Sequence, residues 1–212
     1  TVELACSKEN RIRMQDINAA QTLHIGVDVA RFGDDKTVIT PRVSAKVFEF
    51  RKYVKRSTME TAGNGVMCCR DYMGQFPHIK KCLIKVDDSG VGGGVTDRLN
   101  EVVREEKLPY TVIPVNNGDA ATDNLGAQIW GNIKELLENN FSNNLQGKQD
   151  VQIELPYDEE MIKQLSVRKY HMTSKGKIQL ESKDDMKKRG LGSPDTADAL
   201  SLALYEPDTW LY

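Results

Sequence analysis

Acidic residues at the ends of apolar runs are the part of this sequence best suited to chemistry. Asp28 interrupts the apolar run HIGVDVA, and Asp87 stands between the run CLIKV and a glycine-rich stretch. Asp195 and Asp198 follow a Ser-Pro pair near the end of the chain, three residues apart, so that a helix would carry both on one face. Because an ionised carboxylate in a buried strand is costly unless it is paired or bound to metal, Asp28 carries the strongest signal. The acids predict a site for hard divalent cations such as Mg²⁺ and Mn²⁺.

Each acid also has an ordinary structural interpretation. Asp195 could complement the dipole of the last helix from its first turn. Asp87 and Asp88 could be turn residues, since Asp before Gly is common in turns. The acids favour a common site because strands of an open α/β sheet collect their functional groups beyond their carboxyl ends.

The spacing of apolar residues predicts the elements that position these acids. Strands are expected over 22–29, 36–41, 45–53, 82–86, 111–115 and 152–155, with a hairpin formed by 166–172 and 177–181. Helices are expected over 58–76, 95–107, 125–137, 157–165 and 193–204. This order predicts an α/β fold with a mixed central sheet and helices on both faces. Residues 1–21 are polar and are expected to be a linker or a remnant of a preceding domain, with the folded domain over 22–212.

Composition excludes several classes of protein. The 212 residues carry a formal net charge of −2, which excludes a globally basic nucleic-acid binder. No apolar run approaches the roughly 20 residues that span a bilayer, so no membrane partner is expected. The four cysteines form no C-x-x-C pair, so neither a zinc site nor a disulfide framework is indicated. We expect a soluble domain from a reducing compartment.

A basic segment precedes the last acidic motif. Residues 161–189 hold nine basic and three acidic side chains, a local excess of positive charge in a chain of net −2. Basic charge beside an acidic metal site suits a DNA phosphate backbone. Lys175, Lys177, Lys183 and Arg189 are the predicted phosphate contacts, the alternative being a solvated charged surface.

The glycine cluster GVGGGV after Asp87 could hold a phosphate at a helix N-terminus. It lacks the spacing of dinucleotide-binding and Walker motifs, however. The glycines more simply predict a tight turn and a close approach of the backbone, to DNA or to a neighbouring strand.

Three segments together resemble the nuclease domain of phage terminase large subunits. They are GVDVARFGDDKTVI, IKVDDSGVGGGVTDRL and SKGKIQLESKDDMKKRGLGSPDTADALSLAL, in that order. The resemblance implies a ribonuclease H-like (RuvC-like) fold and an endonuclease that cuts concatemeric phage DNA during packaging. The chain departs from the family at the last motif, where many members have His-Asp-Asp and this chain has Ser193-Pro194-Asp195.

The resemblance also implies a site and partners. Asp28, Asp87 and Asp195 would be catalytic and would hold two Mg²⁺ or Mn²⁺ ions, with Asp198 as an accessory ligand and Asp35 as a weaker one. Double-stranded DNA would be the substrate. The full protein would add its own ATPase domain, a small terminase subunit and the portal, and would act on the procapsid in the host-cell cytoplasm.

The sequence leaves other functions open. A Holliday-junction resolvase or transposase could use the same fold and acids. A nucleotide-binding module of the actin-like kind, without nuclease activity, could use an Asp and glycine loops to hold ATP-bound metal. A scaffold or motor-docking domain with vestigial acids is a further alternative.

Overall fold

The structure, a computed structural model, describes residues 1–8, 10–30, 35–116, 125–148, 150–174 and 178–207. Its main sheet consists of β1 (Leu23–Asp28), β2 (Lys36–Val43), β3 (Lys46–Val47), β4 (Arg51–Val54), β5 (Cys82–Asp87) and β6 (Tyr110–Val115). The strand order is β3-β2-β1-β5-β6, and β4 also pairs with β2. β1, β5 and β6 run parallel, whereas β2 runs antiparallel to β1, so the sheet is mixed as predicted.

Seven α-helices lie within the described residues. They are α1 (Val2–Ala5), α2 (Thr58–Gln75), α3 (Gly92–Glu105), α4 (Leu125–Leu145), α5 (Glu159–Val167), α6 (Lys183–Lys188) and α7 (Asp195–Leu204). A separate two-stranded sheet pairs β7 (Tyr170–Met172) with β8 (Ile178–Leu180).

Helices cover both faces of the sheet, which confirms the predicted architecture. On one face, α2 and α3 pack their apolar side chains, among them Val66 and Leu99, against Ile25 and Ile84 of the sheet. On the other face, α7 lies across β1 and β2 and packs against α4 and α5. Burial of these two apolar layers is the main favourable contribution to folding.

Gly26 allows α7 to lie directly on β1. A Cβ atom at this position would be 2.2 Å from the carbonyl oxygen of Ala199 and 2.4 Å from the backbone nitrogen of Ala203, both in α7. Any side chain larger than hydrogen would therefore push the helix away from the strand. This close packing fixes α7, and with it the two acids of its first turn, relative to β1.

Several elements differ from the sequence-based prediction. The predicted strand over 45–53 is two short strands, β3 and β4, which pair with opposite ends of β2. Of the predicted strand over 152–155, Glu154 forms a single parallel bridge with Lys46. Helix α6 was not predicted, because its sequence KDDMKK has one apolar residue, Met186, and so shows no apolar period.

The first residues of the chain pack on the domain. Ala5 is fully buried in the cluster that includes Leu200 of α7, and Ile17 is buried against the other core. Glu154 accepts hydrogen bonds from the Arg11 guanidinium and from the backbone amide of Ile12. The boundary between linker and domain stays a prediction.

Among the described residues, no helix is long and apolar enough to cross a membrane.

Candidate metal centre

The four predicted acids come from three elements that meet at one edge of the sheet. Asp28 is the last residue of β1 and Asp87 is the last residue of β5. These strands are parallel neighbours with Val27 beside Val86, so the two acids follow at the same edge. Asp195 and Asp198 lie in the first turn of α7, which packs on β1. Sheet register and helix packing thus gather acids from positions 28 to 198 of the chain.

The ammonium group of Lys183, in α6, lies among three of these carboxylates. Its Nζ is 3.0 Å from Oδ2 of Asp198, 3.8 Å from Oδ1 of Asp195 and 3.9 Å from Oδ1 of Asp28. Burial lowers the pKa of Lys183, but the carboxylates of Asp28, Asp198 and Asp195 outweigh it, so the pKa is raised and the amine stays charged. The carboxylates therefore already surround one positive charge.

Asp28 is the most buried acid of the group, with 3% of its surface exposed. Burial raises its pKa well above the ordinary value; Lys183 opposes this shift, and the charges of Asp198, Asp195 and Asp87 add to it. The contribution from Asp87 places that carboxylate within electrostatic reach of Asp28. A buried acid among like charges gains from any cation bound beside it.

Asp195 is fixed by the backbone of a neighbouring strand. The amide of Lys36, at the start of β2, donates a 2.8 Å hydrogen bond to its Oδ2. Its pKa is raised, chiefly by burial, although the Lys36 amide and the Lys183 ammonium act in the opposite direction. One oxygen is thus held by the sheet, and the other faces Lys183.

Asp198 has both oxygens engaged. Its Oδ1 accepts hydrogen bonds from Nε1 of Trp130 at 2.9 Å and from Nη1 of Arg168 at 2.8 Å. Its Oδ2 faces Lys183. Asp198 is therefore tied to α4 and to the end of α5 as well as to the centre of the acidic cluster.

The remaining acids of this edge have local partners. Oδ1 of Asp87 accepts a hydrogen bond from the backbone amide of Ser89 at 3.0 Å. Oδ1 of Asp88 accepts one from the Thr96 hydroxyl at 2.7 Å, which ties the turn to α3. The Oδ2 atom of Asp35, a residue at the edge of the described range, lies 3.8 Å from Nζ of Lys187, and Asp35 is not among the acids that surround Lys183.

The glycine cluster forms the tight turn that the sequence predicts. Gly90 has a φ of +68°, a conformation that L side chains rarely adopt. Helix α3 begins at Gly92, where a Cβ atom would lie 1.7 Å from the carbonyl oxygen of Asp87. The glycines thus let α3 start directly against the strand end that carries Asp87.

The four predicted DNA contacts are only partly within the described residues. Lys183 lies in the acidic cluster, with 40% of its side chain exposed. Arg189 donates to both carboxylate oxygens of Glu181 and to the carbonyl of Val167, at the base of the hairpin. Lys175 and Lys177 lie outside the described residues. DNA binding by these four side chains stays a prediction.

Among the described residues, no three carboxylate, imidazole or thiol groups are close enough to hold a metal ion as they stand. The ammonium group of Lys183 lies among the carboxylates of Asp28, Asp195 and Asp198. A metal ion at this edge would have to displace that ammonium group.

Two further residues of the site were not predicted. Arg168 belongs to the basic segment, and its pairing with Asp198 gives no sequence signal. Trp130 is one of two tryptophans in the chain and lies 68 positions before Asp198. Contacts between residues so far apart in sequence depend on how the helices pack, which the sequence pattern does not predict.

Comparison with known proteins locates this fold among viral nucleases. No family model matches the chain, and no curated protein sequence matches it. The K428A mutant of the nuclease domain of the large terminase subunit gp2 from bacteriophage Sf6, solved with calcium, is 19% identical and has a TM-score of 0.73, covering 97% of this chain and 96% of that one. A second structure of the gp2 nuclease domain is also 19% identical, with a TM-score of 0.70 and coverage of 96% and 95%.

A third structure extends the similarity to another phage. The large terminase nuclease from thermophilic phage G20c, with bound cobalt, is 18% identical and has a TM-score of 0.56, covering 87% of this chain and 80% of that one. At such identities the likeness concerns the fold. The chain therefore has the ribonuclease H-like α/β fold of the nuclease domains of large terminase subunits.

Proposed function

We propose that this chain is the metal-dependent DNA endonuclease domain of a phage terminase large subunit, which cuts concatemeric viral DNA during genome packaging. The observation that carries the proposal is the convergence of three buried carboxylates, from β1 and α7, around one ammonium group, with Asp87 of β5 at the same edge of the sheet. The fold similarity supports the proposal independently, since the relatives named above are terminase nuclease domains, among them structures solved with calcium and cobalt.

The donor set fits hard divalent cations. It consists of carboxylate oxygens, with the side chains of Asp28 and Asp195 exposed by 5% and 8%. Acids this buried and this close together are stable as anions when a cation balances them. Mg²⁺ and Mn²⁺ prefer such oxygen ligands.

Asp28, Asp87 and Asp195 would hold two metal ions, a number that we infer from the resemblance to terminase nuclease domains. Bound divalent cations at such a site supply activation of a water molecule and stabilisation of the leaving oxygen of a phosphodiester. The chain's own residues set the geometry: the sheet fixes Asp28 and Asp87, and the Lys36 amide fixes Asp195. Asp198, three residues further along α7, would orient water or reach a second ion.

The substrate is proposed to be duplex DNA, bound without reading of its sequence. Lys175, Lys177, Lys183 and Arg189, in the basic segment 161–189, would contact its phosphates. In the whole protein we propose an ATPase domain, with residues 1–21 as the linker and 22–212 as the nuclease domain. The small terminase subunit and the portal would be partners on the procapsid in the host-cell cytoplasm.

A plasmid-nicking assay tests the proposal. Supercoiled plasmid should be nicked and linearised with Mn²⁺ or Mg²⁺, and excess EDTA should abolish the activity. Asp28→Asn, purified in the same way, controls for a contaminating nuclease. Cleavage that persists in EDTA, or equal cleavage by wild type and Asp28→Asn, would contradict the proposal.

A substrate panel separates the alternatives. A terminase nuclease should cut linear and supercoiled duplexes alike, whereas preferential cleavage of four-way DNA would indicate a junction resolvase. Calorimetry with ATP and Mg²⁺ tests the nucleotide-binding alternative, for which we expect no binding.

A further inference from the structure

We propose that Trp130 and Arg168 are positioning residues, which together hold one oxygen of Asp198 so that the other faces the metal centre. This inference rests on the proposed function, because it concerns the same site. It assigns a role to two side chains outside the acidic motifs.

The two carboxylate oxygens of Asp198 have different partners. Oδ1 receives the indole N–H of Trp130 at 2.9 Å and the guanidinium N–H of Arg168 at 2.8 Å. Oδ2 lies 3.0 Å from the Lys183 ammonium, which in turn lies within 3.9 Å of Asp28 and Asp195. A carboxylate held by two donors at one oxygen loses its freedom to rotate, so the direction of the other oxygen is fixed.

The two donors also support each other. The guanidinium carbon of Arg168 lies 4.5 Å from the centre of the Trp130 ring, a cation–π arrangement. Nε of Arg168 donates to the carbonyl of Glu181 at 3.3 Å, which anchors the guanidinium plane at the base of the hairpin. The side chains of Arg168 and Asp198 are 10% and 12% exposed, so their charge-assisted hydrogen bond is largely screened from water.

The position of the pair in the fold fits this role. Trp130 belongs to α4, Arg168 follows the last residue of α5, and Asp198 belongs to α7. Both donors approach Asp198 at the oxygen that does not face Lys183, and they are not among the groups that surround the ammonium. They would act on metal binding through Asp198 and would not touch metal or DNA themselves.

Two conservative variants isolate this effect. Trp130→Phe keeps an aromatic ring for Arg168 to stack on and removes the N–H donor, since only the indole nitrogen can donate. Arg168→Lys keeps the positive charge and removes the planar group that bonds two acceptors at once. Lys134→Gln is the matched control, because Lys134 is also on α4, lies 5.5 Å from the centre of an aromatic ring, Tyr170, and does not contact Asp198.

The measurement is Mn²⁺ affinity by titration calorimetry on the whole chain, well below the unfolding temperature. We expect Trp130→Phe and Arg168→Lys each to weaken Mn²⁺ binding by about 10- to 100-fold, the usual effect of removing a partner of a ligating group. Lys134→Gln should bind like wild type. In nicking assays, the two variants should need more Mn²⁺ for half-maximal cleavage and should approach the wild-type rate at high Mn²⁺.

A double-mutant cycle with Asp198→Asn tests the route of the effect. If Trp130 acts through Asp198, then Trp130→Phe should cause no further decrease of Mn²⁺ affinity in the Asp198→Asn background. Wild-type Mn²⁺ affinity in both conservative variants, or decreases that simply add to that of Asp198→Asn, would overturn the inference while leaving the proposed function intact. A wild-type chain that neither binds Mn²⁺ nor nicks DNA would overturn the proposed function, and the inference with it.

Discussion

The ammonium nitrogen of Lys183 lies 3.9 Å from Oδ1 of Asp28, a carboxylate whose side chain is 5% exposed. The same nitrogen also neutralises Asp195 and Asp198. A divalent cation bound by these acids would need the same oxygens, so the ammonium group and the metal compete for them. We therefore expect Lys183 to stabilise the metal-free protein and to weaken its affinity for metal.

Replacing Lys183 by methionine tests this competition. Lys183→Met keeps an unbranched side chain and removes the charge. Mn²⁺ affinity should therefore rise by roughly tenfold, which corresponds to about 1.4 kcal/mol of binding free energy. Without metal, the free energy of unfolding should fall by about 1 kcal/mol, a modest decrease because the lysine is 40% exposed. Calorimetry and thermal unfolding, each with and without Mn²⁺, measure the two effects.

Lys187→Met is the matched control for that experiment. Lys187 is in the same helix, is 54% exposed and lies beside Asp35, outside the group that surrounds Lys183. Its removal should leave Mn²⁺ affinity unchanged. A Lys183→Met variant that binds Mn²⁺ no better than Lys187→Met would show that the ammonium group is not a competitor.

Asp28→Asn and Asp87→Asn should each reduce cleavage by at least about a hundredfold, because each removes a proposed ligand. The fold should persist, since the amide keeps the size of the carboxyl group. At Asp28 the substitution also removes a buried charge whose pKa is raised, first by burial and then by the neighbouring acids, so metal-free stability should hold or rise slightly. Circular dichroism and plasmid nicking measure the two properties, and nicking near the wild-type rate would show that these acids are not the ligands.

The parts of the fold that follow a regular apolar period could be predicted from the sequence. β1, β5 and α7 bury most of their residues, so their spacing identifies both the elements and the acids that break the pattern. Helix α6 is short and charged, and its formation depends on the Ser182 cap and on the burial of Met186, neither of which gives a periodic signal. The acids of the candidate site could therefore be identified from the sequence, whereas the helix that carries Lys183 could not.

The partners of the acids could not be predicted because they depend on the packing of remote helices and strands. Arg168 is 30 residues from Asp198, and Lys36 is 159 residues from Asp195. The Lys36 contact is made by its backbone amide, so the type of side chain at this position gives no indication of it. The sequence shows which side chains can bind a cation. The structure is needed to show which of their carboxylate oxygens are occupied by other hydrogen-bond donors.

DNA affinity should depend on Lys175 and Lys177, which lie outside the described residues. Reversing both to Glu should weaken binding to all duplex sequences and lower the log–log salt slope by about one unit for each phosphate that the protein no longer neutralises. Fluorescence anisotropy over a series of salt concentrations measures both quantities. Affinity and slope equal to those of wild type would assign these lysines to the solvated surface.

Buried His24 should make the stability of the fold sensitive to acid. Burial, and then the charges of Arg42 and Lys85, lower the pKa of His24 to about 2, while in the unfolded chain it is near 6.5. Between these values the unfolded state binds one more proton, so the free energy of unfolding should fall by about 1.4 kcal/mol per unit as the pH drops below about 6.5. Its Nδ1 faces Nζ of Lys85 at 2.8 Å, a contact that favours the neutral ring as acceptor.

Chemical denaturation between pH 4 and 8 tests the role of His24. His24→Asn should remove most of this slope, whereas the raised pKa values of Asp28 and Asp195, caused chiefly by burial, act in the opposite direction in both proteins. His171→Asn, at an exposed position, controls for the removal of a histidine. An unchanged slope in His24→Asn would show that another group takes up the proton on unfolding.

Asp195 and Asp198 should differ in their importance for cleavage. Asp195 lies nearer the sheet edge, and its Oδ1 faces the Lys183 ammonium at the centre while the Lys36 amide holds Oδ2. Asp198 lies three residues further along α7, about 4.5 Å down the axis, and its Oδ1 accepts from both Trp130 and Arg168. We therefore expect Asp195→Asn to eliminate nicking and Asp198→Asn to leave a reduced rate that raised Mn²⁺ partly restores. Equal and complete elimination of nicking in both variants would make Asp198 a direct ligand, and the reverse order would place the principal acid of this helix at Asp198.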